Sequence, residues 1–116
     1  MDVVNKSPVL GSLKFLTGPL AGTVLPISKP ITTIGRDETS NDIVISDPSV
    51  SRHHARVVLN GSQWTVEKLA PQNTLSVNSR DVQHAPLSDR DTVALGTGTT
   101  FLFQTAAAQQ APYAAP

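Results

Sequence analysis

Short apolar runs, separated at nearly regular intervals by Gly, Pro, Asn and Asp, dominate this chain of 116 residues. No window of helix length carries an apolar stripe with a 3.6-residue period, whereas many short runs spaced by roughly 8–12 residues are typical of a β-sandwich or barrel. The runs that favour strands are 13–16, 23–27, 31–34, 43–45, 55–59, 63–67, 92–95 and 99–103. The sequence therefore predicts an all-β fold.

Glycine and asparagine in the connections indicate where the strands turn. The segment 18–22 begins and ends with glycine, which predicts a hairpin between the first two runs. Asn60 and Gly61 predict a second hairpin, because both residues tolerate positive φ. In the run that follows, Trp64 and Val66 alternate with polar residues, so we expect both side chains to face the core.

Composition excludes several classes of function. The chain has no cysteine, which rules out disulfides, thiolate zinc sites and a cysteine nucleophile. Nine Lys and Arg balance nine Asp and Glu, so the basic excess of a nucleic-acid-binding protein is missing. No segment approaches the ~20 apolar residues of a membrane span, and the N-terminus lacks the apolar stretch of a signal peptide. We therefore expect no nucleic-acid partner, no membrane contact and a cytoplasmic location.

Three segments differ in character along the chain. Residues 1–11 lack a clear period and are expected to form a flexible lead-in, and residues 12–104 carry the β pattern of one domain. Residues 105–116 are rich in Ala, Gln and Pro and resemble a tail or the start of a linker.

Polar residues of distinctive chemistry lie in the predicted loops. A bound phosphate needs a guanidinium fork together with hydroxyl and amide donors. Three loops supply such a set, namely Arg36, Ser51, Arg52, Asn73 and Asn78. Because each side chain reaches only a few ångströms, the set forms a site only if the three loops converge.

The order and spacing of these loop motifs resemble a forkhead-associated (FHA) domain of bacterial type. The resemblance spans about residues 12–104 and rests on the segments 33–37, 40–45, 50–55 and 77–78, with 18–22 matching an opening hairpin of bacterial members. It implies a β-sandwich of about eleven strands, of the FHA/SMAD-like type. The resemblance also implies that the loops at one end of this sandwich bind phosphothreonine peptides.

The resemblance assigns a role to each candidate residue. Arg36 matches the phosphate-binding arginine, Ser51 the serine whose hydroxyl donates to the phosphate, and Arg52 a neighbouring position that also reaches it. Asn73 matches the asparagine that holds the peptide backbone. Asn78 matches the second asparagine of that loop, which steadies the loop near the peptide.

Two further residues are expected to support the site, and one departs from the family pattern. Gly35 matches a glycine that allows a sharp exit from its strand, and His54 matches a histidine that braces the loop carrying Ser51. Thr74 stands where the family commonly has a glycine. Because positive φ is uncommon for a β-branched residue, the loop at Asn73 is expected to differ in shape.

Catalytic and metal-binding alternatives start from the same segment. Asp47, Ser51 and His54 are the residue types of a catalytic triad, but a triad is defined by geometry, which residues so close in sequence seldom reach. Adjacent histidines on a strand point to opposite faces, so His53 and His54 are not expected to share a metal with His84.

The sequence therefore predicts a recognition module and no enzyme, with no cofactor and no metal. Its expected partners are a phosphothreonine-containing protein or peptide and an upstream serine/threonine kinase. The alternative is a scaffold that keeps the FHA fold and binds proteins without phosphate.

Overall fold

Eleven strands form two sheets in the computed structural model, which describes residues 9–106. In chain order the strands are β1 (Gly11–Thr17), β2 (Val24–Ile27), β3 (Ile31–Gly35), β4 (Ile43–Val44), β5 (Ala55–Asn60), β6 (Gln63–Lys68), β7 (Leu75–Val77), β8 (Arg80–Asp81), β9 (His84–Leu87), β10 (Thr92–Leu95) and β11 (Thr99–Thr105). The all-β prediction is confirmed.

Strand order divides the chain between the two sheets. The six-stranded sheet has the order β2-β1-β11-β10-β7-β8, and the five-stranded sheet has the order β4-β3-β5-β6-β9. The pair β3 and β4 is parallel, whereas every other described pair is antiparallel. Consecutive strands are therefore mostly joined by short turns, and these turns gather at the two ends of the sheets.

Alternating side chains from both sheets form one hydrophobic core between them. Phe15 of β1 and Phe101 of β11 pack with ring centroids 5.4 Å apart, and Trp64 of β6 reaches across to Phe103 of β11 at 5.0 Å. Each of the three phenylalanines is at most 1% exposed. The predicted inward direction of Trp64 and Val66 is confirmed, because both are buried.

Each of the eight predicted runs overlaps a strand, with 23–27 and 43–45 extending one residue beyond theirs, but three strands were not predicted. β7 lies within the segment 72–79, which the sequence favoured as a loop. It contributes only three residues, and its neighbours Asn, Thr and Ser are typical of loops. β8 has two residues, and Pro86 interrupts β9. β7 and β8 are too short to show a period of two, and β9, although as long as β2 and β10, has no β-branched or aromatic residue.

Both predicted hairpins are present, and the second turns one residue later than its motif suggested. Asn60 pairs with Gln63, so the turn residues are Gly61 and Ser62, and only Gly61 has positive φ, at 67°. Asn60 remains in the strand, because the register leaves two residues for the turn. In the first hairpin, Gly18 and Gly22 both have positive φ.

The sandwich has two distinct ends. The connections 36–42, 45–54, 69–74 and 96–98 meet at one end, called the apical end from here on, while Gly11 of β1 pairs with Thr105 of β11 at the other. These strand ends lie one residue outside each limit of the predicted range 12–104. The remaining lead-in, 1–8, and the tail from 107 lie outside the described residues.

Candidate functional site

Backbone hydrogen bonds join all four apical connections, since the amide of Leu69 donates to the carbonyl of His54 at 2.8 Å and so links the loop before β7 to the loop before β5. The amide of Arg36 donates to the carbonyl of Ser51 at 3.0 Å, so the loop after β3 is held against the loop before β5. The amide of Gly96 donates to the carbonyl of Thr74 at 3.0 Å, which joins the loop before β7 to the turn after β10. The convergence that the sequence could not establish is therefore present.

A cavity of about 550 Å³ opens between these loops. Its polar wall contains four of the five predicted binding residues, and its other wall is largely apolar. The lining residues are Arg36, Pro48, Val50, Ser51, Arg52, His53, Leu69, Ala70, Pro71, Gln72 and Asn73. The cavity therefore combines two guanidinium groups with hydroxyl and amide groups, and no carboxylate lines it.

Arg36 is exposed, and its guanidinium is held at one nitrogen only. The Nε–H donates to the carbonyl of Val50 at 2.9 Å. Within residues 9–106, neither terminal nitrogen makes a hydrogen bond, and neither Asp37 nor Glu38 forms an ion pair with Arg36. The fork of the guanidinium is thus free to bind an anion in the cavity.

Ser51 and Asn73 are joined through their side chains. The Nδ2 of Asn73 donates to the Oγ of Ser51, whose residue is 6% exposed. Because Ser51 accepts this bond, its own hydroxyl hydrogen remains free to donate to an anion. Arg52 is exposed beside them, and no residue in the described range hydrogen-bonds its side chain.

Gly35 is required by close packing. A Cβ at Gly35 would overlap the carbonyl oxygen of Arg52 and would lie 2.8 Å from the Nδ2 of Asn41. That Nδ2 donates to the carbonyls of Asp37 and Arg52, at 2.9 and 2.7 Å. Asn41 therefore joins the two loops that carry Arg36 and Arg52.

His54 is fully buried and joins two loops through both ring nitrogens. The Nδ1 accepts a hydrogen bond from the Ser51 amide at 3.0 Å, and the Nε2–H donates to the Thr74 carbonyl at 2.7 Å. Burial lowers the pKa of His54, which favours the neutral ring that this arrangement needs. Because His54 contacts the amide of Ser51 and not its hydroxyl, the pair lacks the contact between a nucleophile and its base.

Thr74 does not need the conformational freedom of glycine. The residues with positive φ in the described chain include Asn78, Ser79 and Arg90 but not Thr74. Its carbonyl accepts hydrogen bonds from both His54 and Gly96. The loop thus has ordinary backbone geometry at this position.

Asn78 lies at the other end of β7, away from the cavity. Its Nδ2 donates to the carboxylate of Asp91 at 3.0 Å, and its Oδ1 accepts from the amide of Thr92 at 2.9 Å. The structure therefore brings Arg36, Ser51, Arg52 and Asn73 together and places Asn78 in the turn between β7 and β8.

Asp47 and Ser49 belong to the apical end but were not among the predicted site residues. Both oxygens of Asp47 accept hydrogen bonds, from the amide and hydroxyl of Ser49 and from the hydroxyl of Thr99. The Ser49 amide is the main cause of a lowered pKa at Asp47. The Asp-Pro-Ser turn pattern was a signal for the local bonds, whereas the contact with Thr99, 52 residues away, has no sequence signature.

The histidines do not assemble a metal site in the part of the chain that the structure describes. His53 lines the cavity and His84 lies in β9, and residues 9–106 contain no cluster of three or more His, Asp or Glu side chains suited to a metal ion. In the same range, no helix has the length and apolar character needed to cross a bilayer.

A model of one protein family, described as the FHA domain, matches residues 32–96. This match covers more than half of the chain. The chain belongs to the FHA domain family. The matched residues include the predicted binding residues from Arg36 to Asn78, and the whole domain has the eleven strands that the resemblance implied.

Curated relatives of this FHA domain include regulators. Glycogen accumulation regulator GarA of Mycolicibacterium smegmatis is 37% identical over 68% of this chain and 49% of its own length. The oxoglutarate dehydrogenase inhibitor of Corynebacterium jeikeium is 34% identical over 68% of this chain and 54% of its own length. The chain spans about half the length of these two relatives.

Solved structures share the fold. The FHA domain of an Arabidopsis thaliana hypothetical protein superposes with a TM-score of 0.77 and 26% identity, over 90% of this chain and 92% of the other. EmbR of Mycobacterium tuberculosis, solved in complex with a low-affinity phosphopeptide, gives a TM-score of 0.73 and 28% identity, over 84% of this chain and 24% of its own.

Proposed function

We propose that this FHA domain binds phosphothreonine peptides in its apical cavity and so recognises proteins phosphorylated by a serine/threonine kinase. The observation that carries the proposal is the free fork of Arg36, which lies in one cavity with the hydroxyl of Ser51 and the side chain of Arg52. The phosphopeptide complex of EmbR, a relative in fold and sequence, supports the same class of ligand.

Each group in the cavity has a distinct role in the proposed complex. The terminal nitrogens of Arg36 donate to two phosphate oxygens, and Ser51 donates its hydroxyl hydrogen to a third. Such hydrogen bonds to a charged group contribute roughly 1.5–3 kcal/mol each. Arg52 adds a second positive charge, and Asn73 donates to the peptide backbone from its position beside Ser51.

Supporting residues act through the loops. Gly35 allows the close approach of the strand to the Arg52 carbonyl, and His54 connects the backbone of Ser51 to that of Thr74. Asn78 steadies the far end of β7 through Asp91 and Thr92, so its proposed role is support of the loop from a distance.

The apolar wall of the cavity should affect which peptide sequences bind best. Leu69 is 40% exposed at the cavity, next to Ala70 and Pro71, and no carboxylate lines this wall. A peptide that places its phosphate on Arg36 therefore meets apolar surface beside the phosphothreonine. We expect residues with aliphatic side chains there to bind better than lysine or arginine, which would find no counter-charge.

The proposal describes reversible recognition without catalysis. FHA domains are protein-interaction modules, and two relatives of this chain are named as a regulator and an inhibitor. The geometry of Ser51 and His54 also provides no activated nucleophile. The partners are accordingly a phosphorylated protein and the kinase that phosphorylates it.

Calorimetric titration with a degenerate phosphothreonine peptide library tests the function. We expect binding of the phosphorylated library, no measurable binding of the unphosphorylated library, and loss of binding in Arg36→Ala. Phosphoserine peptides should bind roughly 10-fold or more weakly, because a contact with the missing methyl group is lost. Arg80→Ala is the matched control, since it removes an exposed arginine from β8 without touching the cavity.

Binding that is indifferent to phosphate would contradict the proposal and favour a phosphate-independent scaffold. Equal weakening by Arg36→Ala and Arg80→Ala would also contradict it, because a general charge effect would then explain the affinity. Loss in Arg36→Ala with retention in Arg80→Ala would assign the phosphate to the apical cavity.

A further inference from the structure

A cluster of hydrogen bonds connects the loop before β5 to the turn between β10 and β11. The Oγ of Ser49 accepts from the amides of Thr97 and Gly98, both at 3.2 Å, and donates to the Oδ1 of Asp47 at 2.9 Å. The other oxygen of Asp47 accepts from the hydroxyl of Thr99 at 2.7 Å. Two segments that are about 50 residues apart in sequence are thereby held together by three hydrogen bonds.

Close packing at the same place leaves no room for a side chain at either glycine of the turn. A Cβ at Gly96 would overlap the carbonyl oxygen of Ser49, and a Cβ at Gly98 would lie 2.6 Å from the Oδ2 of Asp47. Because the two segments touch through backbone atoms, a shift of the turn is transmitted directly to the segment 47–49.

This segment leads directly to the group that holds Arg36. The amide of Val50 donates to the carbonyl of Asp47 at 2.8 Å, and the carbonyl of Val50 accepts from the Nε of Arg36 at 2.9 Å. Val50 is fully buried, so its peptide group has little freedom to reorient. The direction of the Arg36 guanidinium therefore depends on where Asp47 and Ser49 place that carbonyl.

We propose that Asp47 and Ser49 are positioning residues, which hold the Val50 carbonyl so that the fork of Arg36 points into the apical cavity. In this arrangement the β10–β11 turn contributes to anion binding although neither Thr97 nor Gly98 lines the cavity. The effect on peptide affinity rests on the proposed function, whereas the effect on Arg36 itself does not.

Ser49→Ala tests the proposal with two measurements. The first is the NMR signal of the Arg36 Nε–H and its rate of exchange with solvent, which reports the bond to Val50 without any ligand. The second is the Kd of a phosphothreonine peptide. We expect faster exchange of this hydrogen and a Kd raised roughly 3- to 30-fold, which lies within the range of coupling between residues of one hydrogen-bond network.

Thr17→Val is the matched control for this turn. The hydroxyl of Thr17 donates to the carbonyl of Gly98 at 3.1 Å and has no hydrogen bond to the segment 47–50. Thr17→Val removes a bond of the turn but retains the bonds of Ser49 and Asp47 to it, so we expect this variant to leave the Arg36 signal and the Kd unchanged.

Gly98→Ala provides a second approach if Ser49→Ala folds poorly. It retains every hydroxyl and places a methyl group against the Asp47 carboxylate, so it should also accelerate exchange at Arg36. An unchanged Arg36 signal in folded Ser49→Ala or Gly98→Ala would overturn the proposal, whatever happens to the Kd. A changed signal in a protein whose wild type binds no phosphopeptide would support the positioning role and reject the proposed function.

Discussion

Among single residues, His54 shows most clearly how the ionisation state of a side chain affects the apical loops. Its ring is fully buried and must be neutral at Nδ1 to accept the Ser51 amide. Protonation would place a hydrogen where the ring now accepts one, and it would also place a charge in an apolar region. The loops of Ser51 and Thr74 therefore depend on the ionisation state of one side chain.

This dependence predicts how the free energy of unfolding changes with pH. Burial lowers the pKa of His54 in the folded state, so the unfolded chain takes up a proton first as the pH falls through about 6.5. The contribution of His54 to stability is complete above that pH and is lost below it, with a slope of at most ~1.4 kcal/mol per pH unit. Chemical denaturation between pH 7.5 and 5 measures this slope.

His54→Asn is the matched variant, because its Oδ1 can still accept from the Ser51 amide although it does not titrate. We expect this variant to be less stable at pH 7.5 and to show a flatter pH profile. The lowered pKa values of Asp37, Asp42 and Asp47 affect stability only in more acidic solution, below their ordinary value of 3.8. An equal slope in both proteins would show that His54 is not responsible.

The residues of the candidate site were largely predictable, and their contacts were not. Arg36, Ser51, Arg52 and Asn73 follow from loop chemistry and family spacing, since phosphate binding restricts the residue types. The bond from Asn41 to the Arg52 carbonyl and the bond from Thr99 to Asp47 join segments with no local sequence relation. Such bonds are set by how the sheets pack, which the local pattern does not encode.

Among the elements, the β7–β8 hairpin carries the clearest backbone strain. Val77 pairs with Arg80, so the two turn residues are Asn78 and Ser79, and both have positive φ, at 51° and 71°. Two-residue hairpins with positive φ at both positions favour Asn followed by Gly. Asn78 fits this preference, whereas Ser79 is strained, because its Cβ lies too close to the backbone in the left-handed region.

Ser79→Gly should therefore stabilise the domain by about 0.5–1 kcal/mol, since relief of strain exceeds the extra freedom of glycine in the unfolded chain. Urea denaturation measures the change. Ser62→Gly is the control, because Ser62 is also a turn residue but has no positive φ. We expect the control to be slightly destabilising, and stabilisation by both variants would exclude the conformational explanation.

The predictability of each strand depended on its residue types more than on its length, since β4 was predicted from β-branched residues although it has only two residues. Strands of four or more residues with β-branched or aromatic side chains were predicted with small boundary errors, apart from β9. The strands β8 and β9 lie at sheet edges and β7 lies next to an edge, so all three depend on pairing with a neighbour already in place. Pro86 is tolerated in β9 because this is an edge strand, where one side needs no ladder partner.

In the whole molecule, the residues of the hydrophobic core and the residues of the cavity form two separate regions. The core is formed by both sheets between the two ends, and the cavity is formed by apical loops that the core supports. Edge strands β2 and β9 each contain a proline, at Pro26 and Pro86, which limits pairing with another chain. The other two edge strands, β4 and β8, have two residues each and so offer few unpaired backbone groups to another strand.

Phe101→Ala tests this separation. The side chain is fully buried and contacts Phe15, so its loss should destabilise the domain by about 3–5 kcal/mol. Leu16→Ala, which truncates a residue that is 45% exposed on β1, should change stability by less than about 1 kcal/mol. Under conditions where Phe101→Ala is still folded, its Kd for a phosphopeptide should match that of the wild type; a large change would show that core and cavity are coupled.

The pairing of Gly11 with Thr105 has a consequence for how evolution can use this fold. Because β1 begins beside the end of β11, at the end of the sandwich opposite the cavity, the domain can be inserted into another protein at one surface position. The cavity then stays accessible. The segment that aligns with this chain makes up 49% of GarA but 24% of EmbR, so the fold occurs in proteins of different length. The two neighbouring strand ends thus make the sandwich suitable for insertion into proteins of different architecture.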